Sequence, residues 1–287
     1  MVSMAKKKRI PFTARLARWR LWIQAAFLLA WMDPWLLRMH TVCSPVFHCY
    51  SCPLATFACP IGVLAQFSAL HVFPFLAVGT LLVVGALVGS FICGWVCPFG
   101  LLQDLVARIP TPKFQAPVWM THFRFVVLAG LVVAAPYFLG EHHWLFFCSL
   151  CPAGAAESGV PRAVMSAASG DGILWPSPLK LGILLGFLVA MLFMWRPWCT
   201  LFCPLGAIFS LLSQASVFVL RFHPSRCNDC RLCNKLCHYG GRSDGRAGDL
   251  QCIRCMDCTR CGAVTFSHLF SPSEKTGKPA PQPAEPS

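Results

Sequence analysis

The segment Cys93-Gly-Trp-Val-Cys97-Pro-Phe-Gly100 occurs a second time in this sequence, as Cys199-Thr-Leu-Phe-Cys203-Pro-Leu-Gly206. Each copy follows a long apolar run and has the pattern C-x3-C-P-x-G. Proline suits the first turn of a helix, where its missing N–H costs nothing, and the glycine lets other backbone approach closely. Each copy therefore predicts a helix whose N-terminal N–H groups, at the positive end of the helix dipole, face two cysteines.

A second cysteine pattern also occurs twice, as Cys49-Tyr-Ser-Cys52-Pro and as Cys148-Ser-Leu-Cys151-Pro. Each half of the chain thus has an apolar run, C-x2-C-P, another apolar run and C-x3-C-P-x-G. We expect a pseudo-twofold axis along the membrane normal to gather the first pattern at an inner face and the second at an outer face. Cys43 and Cys59 fall outside this pairing, although Cys59-Pro-Ile-Gly62 fits C-P-x-G better than Cys52 does.

The apolar runs predict a membrane protein. Hydrophobic residues make up 56% of the chain and charged residues 12%, and the mean hydropathy is +0.60. A helix needs about 20 apolar residues to cross ~30 Å of hydrocarbon. Four runs suit this length, and the first has no small-residue cleavage site and is expected to be an uncleaved anchor. The expected fold is an all-α, lipid-embedded protein of the bacterial inner membrane with helices at 19–37, 72–92, 123–139 and 179–195.

Basic residues predict the orientation. They are concentrated before the first run, between the second and third runs, and after residue 220, so both termini are expected in the cytoplasm. A fifth apolar stretch, 201–220, carries Ser210, Ser213 and Gln214 on one helical face, which favours an interfacial helix in the membrane plane. The alternative, a spanning helix, would place the C-terminal segment outside. The net charge is +13, but the basic residues flank the predicted spans and the cysteines. They do not form a stripe interleaved with aromatic residues, which argues against a nucleic-acid partner.

The C-terminal segment contains two cysteine runs, C-x2-C-x2-C-x3-C and C-x2-C-x2-C-x2-C. This spacing is typical of two-cluster bacterial ferredoxins, in which the fourth cysteine of a run binds the other cluster. The alternative, two structural zinc sites, would use pairs of cysteines and not two evenly spaced quartets. His238 and Gly262 replace the proline usual after the fourth cysteine. The predicted ligands of two [4Fe–4S] clusters are Cys227, Cys230, Cys233 and Cys261 for one, and Cys252, Cys255, Cys258 and Cys237 for the other.

The remaining cysteines are assigned by face. For the inner four we predict one further iron–sulfur cluster, the alternative being buried cysteines that act as small hydrophobes. The outer set could hold another cluster or form disulfides in an oxidising compartment. Histidines lie near span ends, which argues against a haem in the bilayer. The inner ligands are Cys93, Cys97, Cys199 and Cys203, and the outer candidates are Cys49 or Cys59, Cys52, Cys148 and Cys151.

The two C-x3-C-P pairs, the four spans and the two-cluster segment resemble the NapH-type membrane ferredoxins, over roughly residues 19–262. The resemblance implies electron movement between quinol, cytoplasmic clusters and a periplasmic redox partner. Asp33, in the outer third of the first run, could accept a quinol proton or lie at a hydrated helix end. This chain departs from the family pattern at its outer cysteines, so the resemblance does not assign it to nitrate reduction. The departing residues are Cys43, Cys49, Cys52, Cys59, Cys148 and Cys151.

The expected organisation has five parts. They are a basic N-terminus (1–18), two membrane repeats (19–110 and 111–220), a ferredoxin-like domain (221–270) and a polar tail too poor in apolar residues to fold (271–287). No Walker-A, G-x-G-x-x-G or hydrolase-triad pattern is present. We therefore expect an iron–sulfur electron-transfer protein that connects the quinone pool or a cytoplasmic donor with a partner redox enzyme. The alternatives are a regulatory or metalloenzyme-maturation polyferredoxin and a thiol–disulfide relay through the outer cysteines.

Overall fold

The computed structural model describes residues 12–31, 43, 45, 46, 49, 58–170, 176–227, 232–239 and 249–268. The predictions for Asp33, Cys52, Cys230 and the 271–287 tail therefore lie outside the described residues. Most of the described chain is helical. Its α-helices are α1 (Phe12–Arg18), α2 (Arg20–Trp31), α3 (Pro60–Ala69), α4 (Phe75–Val88), α5 (Phe91–Trp95), α6 (Pro98–Val106), α7 (Phe123–Val126), α8 (Ala135–Leu139), α9 (Phe147–Leu150), α10 (Pro152–Gly154), α11 (Val160–Ser169), α12 (Pro178–Phe193), α13 (Pro204–Leu212) and α14 (Leu232–Lys235).

Tighter and wider helical turns extend several of these helices. The 3-10 segments are Val118–His122, Pro224–Arg226 and Asp257–Cys261, and the π-helical segments are Val127–Ala134, Ala155–Gly159 and Trp198–Phe202. Wider turns of this kind occur frequently at functional sites. The segment Trp198–Phe202 includes Cys199, so the irregularity falls on a predicted ligand.

The four predicted membrane spans differ in length. Within the described residues one helical stretch, Val118–Leu139, is long and apolar enough to cross a membrane, with 22 residues. The other two runs that are described throughout form shorter apolar helices, α4 with 14 residues and α12 with 16. The prediction of four full spans is therefore not confirmed, although each predicted run contains helix.

The structure of residues 201–220 differs from the predicted interfacial helix. It is not one helix, because α13 ends at Leu212 and a β-strand begins at Phe218. Two of the three polar side chains of the predicted face are buried, and only Gln214 is exposed. Ser210 is 2% exposed, and the buried Ser213 hydroxyl accepts a hydrogen bond from the backbone N–H of Ser90 at 2.7 Å. A single helix over 201–220, interfacial or spanning, is therefore wrong, and both serines bind backbone inside the protein.

A two-stranded antiparallel sheet frames the C-terminal cysteines. Strand β1 (Phe218–Phe222) precedes the first cysteine run and pairs with β2 (Val264–His268), which follows the second, with Leu220 opposite Phe266. The sheet thus holds together the two ends of the segment that carries both runs. Strand β1 crosses the predicted boundary between residues 220 and 221.

The core and the surface are both apolar. The core contains the aromatic side chains of Trp95, Phe99 and Phe209 together with the inner cysteines. Large apolar side chains also cover the outside of the helices, where Phe75 is 78% and Phe138 is 79% exposed. The described helices therefore have a hydrophobic exterior as well as a hydrophobic interior.

Candidate cysteine-rich redox centres

Four cysteines begin helices in the same way. Cys59, Cys97, Cys151 and Cys203 have φ of −70°, −69°, −75° and −70° and ψ of 123°, 121°, 117° and 113°, each followed by proline in the first turn. The backbone N–H of Gly154 donates to Cys151 Sγ, and that of Gly206 donates to Cys203 Sγ, both at 3.4 Å. These donors favour negative charge on the sulfur, as a metal-ligating thiolate requires.

This shared geometry changes the matching of the two halves. Cys59 has the position in the first half that Cys151 has in the second, which the sequence pairing gave to Cys52. The signal was in the sequence, because Cys59-Pro-Ile-Gly62 contains the glycine that Cys52-Pro lacks. The C-P-x-G pattern therefore identifies the equivalent cysteines better than the C-x2-C spacing does.

The inner four cysteines are brought together and buried. Burial raises the pKa of Cys93 to about 12, and the neighbouring Cys199 raises it further. Burial also raises the pKa of Cys203 well above its ordinary value, with added contributions from Cys199, Cys93 and Cys97. All four cysteines are buried in the same core. Metal ligation would supply the positive charge that such a buried thiolate set needs.

Gln103 fixes the environment of one inner sulfur. Its Nε2 donates to Cys199 Sγ at 3.0 Å, and its Oε1 accepts from the backbone N–H of Trp198 at 3.2 Å. The side chain is fully buried, and these two contacts hold its orientation. Hydrogen bonds to ligand sulfurs are one of the main controls on cluster potential, so Gln103 is a candidate tuning residue.

A buried ion pair lies beside the inner cysteines. Arg196 donates from Nε to Asp104 Oδ1 at 2.7 Å and from Nη1 to the Cys93 carbonyl at 2.6 Å. Arg20 Nη2 donates to Asp104 Oδ2 at 2.9 Å. Burial alone would raise the pKa of Asp104, but Arg196 and Arg20 outweigh it and lower that pKa. This pair was not predicted from the sequence, although Asp104 is the sole charge in the apolar stretch 91–106 and Arg196 the sole charge in 181–203.

The second C-terminal cysteine run is docked on the helix that carries Cys93. Trp95 Nε1 donates to the Arg254 carbonyl at 3.0 Å, and Ser90 Oγ donates to the Cys252 carbonyl at 2.6 Å. A Cβ added to Gly94 would lie 2.5 Å from the Ile253 carbonyl oxygen. Glycine is therefore needed for the backbone of residues 252–255 to approach α5 this closely.

One basic side chain, Arg254, and one aromatic side chain, Tyr239, strengthen this contact. Arg254 donates from Nη2 to the Ser213 carbonyl at 2.6 Å and from Nη1 to the Val88 carbonyl at 3.0 Å. The buried Tyr239 hydroxyl donates to Asp104 Oδ1 at 3.4 Å. Tyr239 follows Cys237 by two positions. Both C-terminal cysteine runs therefore contact the region around Cys93, Cys97, Cys199 and Cys203, which we call the inner centre.

The other C-terminal cysteines lie nearer the sheet. Cys233 and Cys258 are buried with Leu220 and Val264, and Cys252 and Cys261 pack against them. The helix α14 of the first run packs on the 3-10 segment Asp257–Cys261 of the second. The structure thus brings the two runs into one compact unit, while the division of ligands between two clusters remains a prediction.

The cysteine thiols match the chemistry of iron–sulfur ligation. Among the residues that the structure describes, no three His, Cys, Asp or Glu side chains converge closely enough to hold one metal ion. No disulfide joins any two of the described cysteines. Cysteine thiolates hold four-iron cubes, so groups of buried cysteines with N–H donors suit this cofactor chemically. Its ligands would be thiolates, as cubane clusters require.

The comparisons with known proteins agree with this chemistry. A family model described as a 4Fe-4S binding domain matches residues 70–117 and 177–224, so each match contains one C-x3-C-P-x-G copy. The model therefore matches each half of the chain once. Together, the thiol geometry and these matches define an iron–sulfur protein of the ferredoxin type.

Three relatives narrow the class. An uncharacterised protein of Methanocaldococcus jannaschii is 27% identical over 68% of this chain and 71% of its own length. The putative electron transport protein YccM of Escherichia coli K12 is 25% identical over 73% and 58%, and the ferredoxin-type protein NapH of the same strain is 27% identical over 66% and 64%. The chain is similar to the NapH-type ferredoxins, which confirms the resemblance seen in its cysteine pairs. No solved structure matches it.

Proposed function

We propose that this chain is a membrane-bound iron–sulfur electron carrier that passes electrons between the quinone pool or a cytoplasmic donor and a partner redox enzyme. The observation that carries the proposal is the packing of the backbone of residues 252–255 against α5. Trp95 and Ser90 bind the backbone between two C-terminal cysteines, while Cys93 lies on the same helix. Two predicted cluster sites are thereby joined by direct packing.

The protein's own residues would hold and tune the clusters. Cys93, Cys97, Cys199 and Cys203 are the proposed ligands of the inner cluster, and the eight C-terminal cysteines those of two more. Each bound cluster supplies a site for one-electron reduction and oxidation. Gln103 stabilises sulfur charge through its N–H donor, and the Arg196–Asp104 pair fixes the backbone at Cys93. Tight burial by Trp95, Phe99 and Trp198 keeps water from the inner thiols.

The membrane location rests on the apolar exterior. Val118–Leu139 has the length of a span, and α4 and α12 also expose bulky apolar side chains, among them Val83 and Val189. Such a large exposed apolar surface fits lipid contact better than solvent contact. We propose that the protein lies in the inner membrane with both termini in the cytoplasm. We also propose that it works with partner redox subunits.

The test uses the full chain, purified anaerobically in lipid nanodiscs. We expect about twelve irons per chain with matching acid-labile sulfide if the inner and both C-terminal clusters are present, and more if another site is filled. The double variant Cys93→Ser/Cys203→Ser should lose about four irons. A ubiquinol or menaquinol analogue, or a reduced soluble ferredoxin, should reduce the wild-type clusters. Bound zinc without sulfide, or clusters that none of these donors reduces, would contradict the proposal.

A further inference from the structure

The outer cysteines surround a cavity that the inner centre does not use. The cavity has a volume of about 600 Å³ and lies at the beginning of α4, where Phe75 and Leu76 line it. The other end of α4 meets the inner region, since the Val88 carbonyl accepts from Arg254. With 14 residues in α4, the two ends are roughly 20 Å apart. The cavity is lined by the cysteines Cys43, Cys49, Cys59, Cys148 and Cys151.

Two of these cysteines repeat the geometry of the inner ligands. Cys59 and Cys151 precede helices with the same extended backbone and the same following proline as Cys97 and Cys203. The helix after Cys59 has 10 residues, and the one after Cys151 continues without interruption from Pro152 to Ser169. The outer end therefore contains two half-sites of the inner type.

The other two sulfurs lie against the helices that follow Cys59 and Cys151, each sulfur in the opposite half of the chain. Cys148 Sγ, from the second half, lies 3.6 Å from the position of a Cβ on Gly62, in the first half. Cys49 Sγ, from the first half, lies 3.5 Å from the position of a Cβ on Gly154, in the second. Each half thus offers a glycine to a sulfur of the other half. This reciprocal arrangement places four sulfurs around one space.

The charges around the cavity suit an anionic occupant. Lys180 Nζ lies 3.4 Å from the Cβ position of Gly154, and it lines the cavity with the sulfurs. At the inner centre Arg196 Nη1 lies 3.3 Å from the Cβ position of Gly100. Each centre therefore has one basic side chain against the glycine of a C-P-x-G helix. Glu157 is the acidic neighbour, and its Oε2 accepts from the Cys49 backbone N–H at 2.8 Å.

We propose that Cys49, Cys59, Cys148 and Cys151 hold an additional [4Fe–4S] cluster at the outer end, with Lys180 as its cationic neighbour. The inference rests on the proposed function and extends it, because it gives the carrier a redox centre at the face opposite the C-terminal unit. Cys49 and Cys148 are partly exposed whereas the inner ligands are buried, so this centre is the one accessible to an outer electron-transfer partner.

Iron analysis of full-length variants tests the site. Cys148→Ser and Cys49→Ser should each lose about four irons and the matching sulfide. Cys49 lies outside the helices, so its replacement disturbs folding least. Cys43→Ser, which alters another sulfur of the same cavity, should keep all the iron. The electron paramagnetic resonance signals of the other clusters should persist in every variant.

A potential measurement adds a readout that a merely structural role would not change. Lys180→Met should lower the midpoint potential of one cluster while the iron content stays constant, because the reduced cluster carries an extra negative charge. Arg162→Met, an exposed charge on α11, should leave all potentials unchanged.

The failure of this site is distinguishable from the failure of the proposed function. Wild-type iron in both Cys148→Ser and Cys49→Ser, or a native disulfide among the four outer cysteines in alkylation mass spectrometry, would overturn the outer cluster and leave the carrier intact. Loss of iron in Cys43→Ser with full iron in Cys49→Ser would overturn the ligand set. Absence of the inner and C-terminal clusters from the wild-type chain would instead overturn the proposed function.

Discussion

The guanidinium of Arg196 connects Asp104 to the backbone of Cys93 in the interior of the protein. Arg196 is 0% and Asp104 3% exposed, and Arg196 donates two hydrogen bonds to the Asp104 carboxylate, at 2.5 and 2.7 Å. Arg196 also has φ of 49°, a left-handed conformation that costs free energy for a residue other than glycine. These contacts compensate for that conformation and hold the segment before Cys199 against the segment that contains Cys93.

Asp104→Asn should therefore destabilise the protein strongly. The substitution leaves the Arg196 charge buried without its carboxylate, and breaking a buried pair in this way costs about 3–5 kcal/mol. Unfolding of the full chain in detergent, followed by tryptophan fluorescence, measures the loss.

The control removes both charges. Asp104→Leu/Arg196→Met should recover much of the lost stability, because apolar residues of similar volume can replace a buried pair at little cost. Equal destabilisation in the single and double variants would show that the carboxylate does not act through Arg196.

Gln103→Leu should lower the midpoint potential of the inner cluster. The Gln103 amide donates to Cys199 Sγ, and such a donor stabilises the additional negative charge of the reduced state. A redox titration followed by electron paramagnetic resonance measures the shift. Gln214→Leu, which replaces an exposed side chain shortly after α13, should cause no shift. An unchanged potential in Gln103→Leu would remove Gln103 from the tuning of this site.

Local sequence predicted the helix starts because each requirement lies within a few residues. Cysteine, proline and glycine in C-P-x-G together specify the extended first residue, the first turn and the close approach at Cys97 and Cys203. The Arg196–Asp104 pair could not be predicted in the same way. Its partners are 92 positions apart, and only the folded chain shows which opposite charge neutralises each one.

Residues 201–220 show why polarity alone misled. Polarity predicts that Ser210 and Ser213 face water, because polar side chains usually do. In the structure their hydroxyl groups are satisfied inside the protein, Ser210 by the Ala207 carbonyl and Ser213 by the Ser90 N–H. A serine that binds backbone can occupy a buried face at little cost.

A reporter inserted after His142 should be active only outside the cytoplasm. The loop between Gly140 and Leu145 is exposed at the end of the Val118–Leu139 helix, and it belongs to the outer end in the predicted topology. A matching reporter after Ser287 should be active only in the cytoplasm, as the basic residues predict. Reporters active on the same side would contradict this orientation.

Gly94→Ala should separate the C-terminal unit from the inner centre. Alanine usually stabilises a helix relative to glycine, by roughly 0.5–1 kcal/mol. At this position its methyl carbon would lie 2.5 Å from the Ile253 carbonyl oxygen, a backbone atom, so residues 252–255 must move away from α5. We expect weaker magnetic coupling between the inner cluster and the neighbouring C-terminal cluster, and slower electron exchange between them in rapid-freeze kinetics.

Gly186→Ala in α12 is the matched control, because a Cβ there would meet nothing within 4 Å. The control should retain wild-type coupling and gain slightly in stability. Wild-type coupling in Gly94→Ala with both clusters fully loaded would show that electrons do not depend on the contact between α5 and residues 252–255.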